Sequence, residues 1–172
     1  MLTRIAIVAA IFSLVIPAVG FAQGFSQGDK VLSLNGSGLS DKDFDNSAFS
    51  VSGDLSYFFT NNISGAIRQT LEFANGEGDG SSWDAVTRVA ADYNFDMGRV
   101  WPYVGASIGY LYGDDVKDTW LGGPEAGVKV FVNQTTFIVG SIEWQFLFDT
   151  GDDDDTLEDS IFIYSLGIGF RW

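Results

Sequence analysis

The chain has 172 residues, of which 21 are glycine and 15% are aromatic, and it contains neither cysteine nor histidine. This length corresponds to one domain. The formal net charge of −14 argues against a nucleic-acid partner, because phosphate binding needs clustered Lys and Arg. The lack of histidine excludes Ser-His-Asp hydrolysis, His-ligated zinc and His-ligated haem, so no cofactor is expected.

The first 22 residues are typical of a secretory signal peptide. A short basic start precedes an apolar run over 5–19, and the small residues Gly20 and Ala22 occupy positions −3 and −1 of a cleavage site. The apolar run is short for a transmembrane helix of ~20 residues. The sequence therefore predicts cleavage after Ala22, export, and a mature domain at 23–172. The alternative is a retained membrane anchor.

Beyond this segment, apolar and polar residues alternate with a period of two, which predicts β-strands with two different faces. In chain order, the predicted strands are 30–38, 49–59, 63–73, 83–95, 100–112, 122–132, 137–148 and 161–172. In the fifth strand, for example, Val104, Ala106 and Ile108 alternate with Gly105 and Ser107. These lengths suit a tilted transmembrane strand, which needs roughly 9–11 residues.

One face of each predicted strand is apolar, and the other carries glycines, serines and charges. That polar face suits the interior of a membrane barrel better than an open, solvated surface. The predicted fold is all-β, an eight-stranded antiparallel up-and-down transmembrane β-barrel. A closed barrel in lipid also supplies the stability that disulfides cannot give this cysteine-free chain. The alternative is a soluble periplasmic, lipocalin-like barrel whose apolar faces turn inward around a ligand.

The connections between the predicted strands alternate in length. Short turns are predicted at 60–62, 96–99 and 133–135, and longer loops at 41–48, 74–82, 113–118 and 149–160. Membrane barrels of bacteria have short periplasmic turns and longer external loops. The alternation therefore predicts that both chain ends lie on the periplasmic side.

The aromatic residues are predicted to form two girdles at the ends of the strands, where amphipathic rings meet the membrane interfaces. The short-turn girdle comprises Tyr57, Phe59, Tyr93, Phe95, Trp101, Phe170 and Trp172. The loop-end girdle comprises Phe49, Phe73, Trp83, Tyr110, Tyr112, Trp120, Phe146, Phe148 and Phe162.

Two segments, together with the signal-like start, carry a family resemblance. Residues 101–110 read WPYVGASIGY, and the last strand alternates apolar residues up to an aromatic end at Tyr164, Leu166, Ile168, Phe170 and Trp172. The chain resembles the small outer-membrane β-barrel family, also called the porin family, although that family usually ends on Phe rather than Trp. The resemblance implies an outer-membrane location, contact with lipid and lipopolysaccharide, and a C-terminal signal for the barrel-assembly machinery.

The inward faces are predicted to carry a charge network. Its members are Asp54, Arg68, Glu72, Arg88, Asp92, Glu125, Lys129, Glu143 and Arg171. Three pairs lie four residues apart on one face: Arg68 with Glu72, Arg88 with Asp92, and Glu125 with Lys129. Because unpaired buried charges are costly, the pattern indicates a salt-bridged interior that fills a small barrel. The alternatives are a narrow polar conduit, a ligand pocket or a catalytic carboxylate pair.

The predicted loops are strongly acidic. The fourth loop carries the densest cluster, formed by Asp152, Asp153, Asp154, Asp155, Glu158 and Asp159. Carboxylates are ligands for Ca²⁺ or Mg²⁺, although this loop lacks the glycine of an EF-hand. The sequence therefore offers weak candidates for a divalent cation that could bridge to lipopolysaccharide phosphates. The alternative is a solvated surface loop.

These features predict a structural or surface-interaction protein of the outer membrane rather than an enzyme. The resemblance implies that an enzyme of this class would use His with Ser or Asp. This chain has no His. The alternative function is a small barrel that binds or transports a small or hydrophobic molecule.

Overall fold

The computed structural model describes residues 24–40, 47–76, 80–113, 119–148 and 160–172. The strands are β1 (Lys30–Ser40), β2 (Ser47–Phe58), β3 (Ile63–Gly76), β4 (Gly80–Asn94), β5 (Val100–Gly113), β6 (Thr119–Phe131), β7 (Thr136–Phe148) and β8 (Ser160–Arg171). Each strand pairs antiparallel with the next, and β8 pairs with β1 to close the barrel. The predicted eight-stranded up-and-down barrel is confirmed. Among the described residues, no helix is long and apolar enough to cross a membrane.

The two faces of the strands separate as the period of two predicts. Large apolar side chains such as Val104, Ile108 and Leu166 point outward and are 50%, 48% and 66% exposed. Charged side chains such as Arg88 and Glu125 point inward and are buried. The lipocalin-like alternative, with apolar faces turned inward, is therefore wrong.

The strands run further than the sequence predicts at the end of the barrel where the long loops were expected. β3 and β4 stay paired up to Gly76 and Gly80, so the predicted loop 74–82 shrinks to a connection at 77–79. The alternation of connection lengths fails at this hairpin. It fails because small and polar residues such as Asn75 and Ser81 continue the ladder through their backbones. We call this end the loop end, and the opposite end, with turns at 59–62, 95–99 and 132–135, the short-turn end.

The predicted girdle aromatics point outward with one exception. Tyr57, Phe59, Tyr93 and Phe95 are 41–57% exposed on the outer face near the short turns. Trp101, which the sequence analysis placed in the same girdle, is 1% exposed and points inward. The prediction for Trp101 is wrong because it has the same parity in β5 as Tyr103 and Ser107, which are also buried.

Candidate functional site in the barrel interior

The barrel interior contains a set of ion pairs that cross from one side of the wall to the other. Arg68 on β3 is the central member. Its Nε donates to Asp54 Oδ1 at 3.0 Å, and its Nη1 donates to Glu125 Oε2 at 2.9 Å. The same Nη1 lies 3.6 Å from Glu143 Oε2. One guanidinium thus joins strands β2, β6 and β7, and the planar fork of Arg suits this multiple pairing.

Arg88 on β4 makes the second connection across the interior. Its Nη1 donates to Glu143 Oε2 at 2.7 Å, and its Nη2 donates to Gln145 Oε1 at 2.7 Å. Ser107 donates its hydroxyl to the other oxygen of Glu143 at 3.0 Å. The Arg88 side chain is 3% exposed, so its charge depends on these partners rather than on water.

Lys129 on β6 forms the third connection, nearer the short turns. Its ammonium donates to Asn94 Oδ1 at 2.7 Å and lies 3.7 Å from Asp92 Oδ2. The same ammonium lies 4.2 Å from the centre of the Tyr103 ring, within cation–π range. Asn94 in turn donates to Ser64 Oγ at 3.0 Å, so the polar contacts continue to β3.

Gly105 on β5 gives the network room. In the registers of β4–β5 and β5–β6 it stands between Asp92 and Glu125. A Cβ at this position would lie 2.2 Å from Asp92 Oδ1, closer than any side chain tolerates. The missing side chain lets two inward carboxylate-bearing residues flank one strand position.

The structure brings the predicted charges together in a different pairing. The ion pairs predicted between residues four apart are not among those of the described residues. The reason is geometric, since positions four apart on a strand are separated by roughly 13 Å. Glu72 is instead opposite Asp84 in the β3–β4 register, and Arg171 lies at the short-turn end, 2.8 Å from Asp29. We use the term charge network for the seven residues that remain: Asp54, Arg68, Arg88, Asp92, Glu125, Lys129 and Glu143.

Below the charge network, at the short-turn end, lies an aromatic cluster that the sequence analysis did not anticipate. We call it the aromatic base; its members are Phe25, Phe58, Trp101, Tyr103, Phe131 and Phe137, all buried. Phe25 stacks on Phe58 with ring centres 4.3 Å apart and meets Trp101 edge-on at 5.2 Å. It also contacts Phe131 and Phe137 at 4.9 and 5.4 Å. Phe25 is therefore the centre of the cluster.

Phe25 does not belong to the barrel wall; the segment 24–29 carries it into the mouth of the barrel. Arg171 holds this segment by donating from Nη1 to Gly24 O at 2.7 Å and to Asp29 Oδ2 at 2.8 Å. The backbone N–H of Gly28 donates to Phe58 O at 2.9 Å. A Cβ on Gly24 would fall 1.9 Å from the Trp101 ring, so this close approach requires glycine.

Between the charge network and the serine-lined wall of β1, β2, β7 and β8 lies a polar cavity of about 60 Å³. Its lining includes Ser33, Ser52, Asp54, Arg68 and Glu143. A cavity of this size accommodates a few waters, and its lining offers them polar partners. It is several times smaller than the roughly 300–1,000 Å³ of typical small-molecule sites.

Candidate metal ligands were predicted in the fourth loop, from Asp152 to Glu158 and Asp159. These residues lie outside the described part of the chain. Among the described residues, no group of three or more Asp, Glu, His or Cys side chains is arranged to hold a metal ion.

A closed antiparallel barrel with an apolar outer face and a charged interior is the architecture of a transmembrane β-barrel. Each strand of the wall is paired with a neighbouring strand on both sides, and this closure removes the open sheet edges that the hydrocarbon core of a membrane does not tolerate. The outer face therefore meets lipid.

Solved structures identify the class further. The chain is similar to the N-terminal β-barrel domain of Pseudomonas aeruginosa OprF, with a TM-score of 0.59 and 16% sequence identity. The match covers 87% of this chain and all of the OprF domain. A second match, to Pseudomonas aeruginosa OprG, covers 87% of this chain and 98% of OprG, with a TM-score of 0.57 and 14% sequence identity. A third match, to Neisserial surface protein A, covers 83% of this chain and 94% of that protein, with a TM-score of 0.58 and 15% sequence identity.

No protein-family model matches the chain, and no curated protein sequence matches it. The fold is that of small bacterial outer-membrane barrels, and it supports an outer-membrane location. The structural relatives and this chain share the barrel at low sequence identity, so what the barrel does must be argued from its own residues.

Proposed function

We propose that this protein is a non-enzymatic structural or surface-interaction barrel of the outer membrane, with a closed interior and acidic loops directed outside the cell. The observation that carries the proposal is the pairing of Arg68 and Arg88 with carboxylates on the opposite wall. A barrel of eight strands has an interior just wide enough to be filled by side chains. These two arginines and their partners occupy it at mid-height.

The closure has a second layer at the short-turn end. Phe25 enters the mouth of the barrel from the segment before β1 and contacts four aromatic rings of the wall. An ion moving along the interior would have to pass both the charge network and this apolar layer. With the short-turn end facing the periplasm, the aromatic base closes the periplasmic side, and the acidic loops face outward.

A non-enzymatic role is supported by the way the interior carboxylates are used. Glu125 and Glu143 each accept a hydrogen bond from an arginine, and Asp54 accepts from Arg68. A carboxylate held by a buried cation is a structural partner rather than a general base with a free position for substrate. With no histidine in the sequence, the common proton-transfer partner is also missing.

The second candidate function is a small binding or transport barrel, and the polar cavity of about 60 Å³ is the observation that favours it. The cavity lies beside a network with four carboxylates and three cations, so it favours water or a small cation over an anion. A larger or hydrophobic molecule would need the charge network to move.

Planar-bilayer recording separates the two candidates. The proposal expects the wild-type protein to show no stepwise conductance under applied voltage. The triple variant Arg68→Ser, Glu125→Ser and Phe25→Ser removes the ion pairs of Arg68 with Asp54, Glu125 and Glu143 without changing net charge, and it opens the aromatic base. It should conduct while the wild type stays silent. Reproducible steps from the folded wild-type barrel would favour the transport candidate instead.

The chain ends contribute two further parts of the proposal. Cleavage after Ala22 would leave the new N-terminus at Gln23, two residues before the buried Phe25, and intact-mass spectrometry of the exported protein tests this. The C-terminal residues Tyr164, Leu166, Ile168, Phe170 and Trp172 all point outward on one apolar stripe, 41–67% exposed. This stripe is the proposed signal for the barrel-assembly machinery, and Trp172→Ser should lower the yield of folded barrel in the membrane.

The acidic fourth loop is proposed to bind divalent cations weakly, at the surface where lipopolysaccharide phosphates lie. Calcium titration of the folded protein should give a Kd near the millimolar range typical of weak extracellular sites, about 10⁻⁴–10⁻³ M. Replacing Asp152 to Asp155 with Asn should abolish it. Equal calcium uptake by both proteins would remove the loop from the proposal.

A further inference from the structure

The outer face of the barrel carries an open apolar groove. It has a volume of about 710 Å³ and lies across β2, β3 and β4 near the short turns. Its walls are apolar side chains that are each more than 40% exposed, namely Leu55, Tyr57, Phe59, Ile67 and Val89. Gly65 lies between β2 and β4 at its floor, and the ring of Phe59 leans over it.

One charged side chain stands at the edge of this groove. Lys30, at the start of β1, is exposed and opposite Tyr57 in the β1–β2 register. Its backbone is paired through two hydrogen bonds of 3.0 Å with Trp172, whose ring also lines the groove. Among the described strand residues whose side chains alternate to the outer face, Lys30 is the one that carries a charge.

We propose that this groove binds one acidic glycerophospholipid of the periplasmic leaflet, with its phosphate on Lys30 and an acyl chain over Gly65. The aromatic residues Tyr57 and Trp172 mark the level of the membrane interface, where a headgroup lies. A phosphate beside Lys30 pairs with the one charged side chain found at the described outward strand positions. The apolar walls that continue from this edge toward mid-barrel follow the direction of a lipid tail.

A second copy of the chain is a poorer occupant of the groove. In a dimer through this face, Lys30 would be desolvated against a surface whose described strand residues carry no carboxylate. An unpaired charge in an apolar interface is costly. A phospholipid pairs the charge and keeps the rest of the contact apolar.

The inference rests on the orientation in the proposed function, with the short turns in the periplasm, but not on a closed interior. Its test is separate from the conductance test, because a conducting barrel can still hold a lipid in this groove. If the orientation is reversed, the groove meets the outer leaflet instead, and lipopolysaccharide becomes the preferred lipid.

Native mass spectrometry of the full-length protein, released from nanodiscs into mild detergent, measures the retained lipid. The nanodiscs contain equal amounts of phosphatidylglycerol and phosphatidylcholine. The wild type should retain one phosphatidylglycerol per barrel in preference to phosphatidylcholine. Lys30→Gln should lower that preference about fivefold, the contribution of one basic side chain at an anionic lipid surface, and Lys30→Arg should keep it.

Filling the groove tests the acyl-chain part. Gly65→Leu should reduce retention of both lipids, since its side chain occupies the floor of the groove. The matched control is Gly53→Leu, an outward glycine on β2 where a Cβ meets ordinary contact distances, 3.8 Å to Leu34. It should retain lipid as the wild type does.

Four results would overturn the inference. The first is equal retention of the two phospholipids by the wild type, and the second is unchanged retention in both Lys30→Gln and Gly65→Leu. The third is displacement of phosphatidylglycerol by an equimolar amount of lipopolysaccharide, which would assign the groove to the outer leaflet. A dimer in place of a lipid-bound monomer would assign it to a second copy. Heat-dependent gel migration confirms that each variant is folded.

Discussion

The aromatic base and the charge network fill the same barrel with opposite chemistry. Apart from Phe25, both are made from inward-facing strand positions, yet the base consists of aromatic rings, while the network consists of seven charged side chains. In the network, Arg68 and Arg88 each need particular acceptors at 2.7–3.0 Å. In the base, Phe25 is held by ring contacts at 4.3–5.4 Å that tolerate several orientations.

The two regions also differ in which part of the chain builds them. Every member of the charge network lies on a strand, so disturbing it disturbs the barrel wall itself. The centre of the aromatic base comes from the segment 24–29, which can leave the mouth without breaking a strand ladder. The network is therefore expected to govern the global stability of the barrel, and the base a local opening at the short-turn end.

The largest expected effect comes from removing an acid of the network. Glu143→Ala deprives Arg88 and Arg68 of a carboxylate and Ser107 of its acceptor, leaving buried charge without compensation. The expected loss is about 3–5 kcal/mol of unfolding free energy. Urea unfolding and refolding in lipid vesicles, followed by tryptophan fluorescence, measures it.

A double replacement sharpens the same comparison. Arg88→Leu with Glu143→Leu removes both charges of one pair, and apolar replacements of a buried pair are often neutral or stabilising. The double variant should therefore unfold at a higher urea concentration than Glu143→Ala. If it is the less stable of the two, hydrogen bonds to Ser107 and Gln145 matter more than charge balance.

The second effect is smaller and local. Phe25→Ala should cost about 2 kcal/mol, the contribution of burying a large apolar side chain, because the segment 24–29 can detach instead of leaving a fixed cavity. Trp101 reports the change, since it is the buried tryptophan that Phe25 contacts edge-on. In a variant with the other four tryptophans replaced by Phe, acrylamide should quench Trp101 more strongly after Phe25→Ala.

Ser26→Ala serves as the control for this measurement. Ser26 belongs to the same segment and is exposed, and its hydrogen bonds with Asp29 are made through its backbone. Its replacement should leave the quenching of Trp101 unchanged. Equal quenching in Phe25→Ala and the parent would show that the ring of Phe25 does not shield the mouth of the barrel.

The period of two was sufficient to predict the wall but not the way its side chains pair. Alternation placed Arg68, Arg88 and Glu125 inside, because parity along a strand fixes the face of every residue. It could not predict which charge meets which, since that depends on how far each side chain reaches across a closed barrel. Arg68 contacts Asp54 on the neighbouring strand but Glu125 on a strand three positions away.

Part of the aromatic base could have been predicted from the alternation of strand residues, although the sequence analysis did not predict it. Phe58, Phe131 and Phe137 fall at inward positions by the same alternation that placed the charges, and each lies next to a short turn. Three inward aromatics at one end predict an apolar layer there. Phe25 carried no such signal, because it precedes the first strand and only the folded chain brings it to these rings.

The smallest effect is expected at the serine-lined wall, the side of the interior that lies outside both the aromatic base and the charge network. Ser141 and Ser165 stand opposite each other on β7 and β8, and their hydroxyls are hydrogen-bonded inside the barrel. Ser165→Ala removes one neutral hydrogen bond at the edge of a polar cavity, where water can replace it. The expected loss is about 0.5–1.5 kcal/mol, below that of either earlier variant.

A double-mutant cycle between these serines tests the ranking. Replacing both with Ala should cost little more than Ser165→Ala alone, because the hydroxyls serve each other and the second replacement removes an orphaned partner. The equivalent pair on β1 and β2, Ser37 and Ser50, should behave alike. A loss from Ser165→Ala as large as that from Glu143→Ala would mean that the serine wall, rather than the ion pairs, holds the interior together. The interior would then not divide into a charged side that determines the stability of the barrel and a neutral, serine-lined side that contributes little.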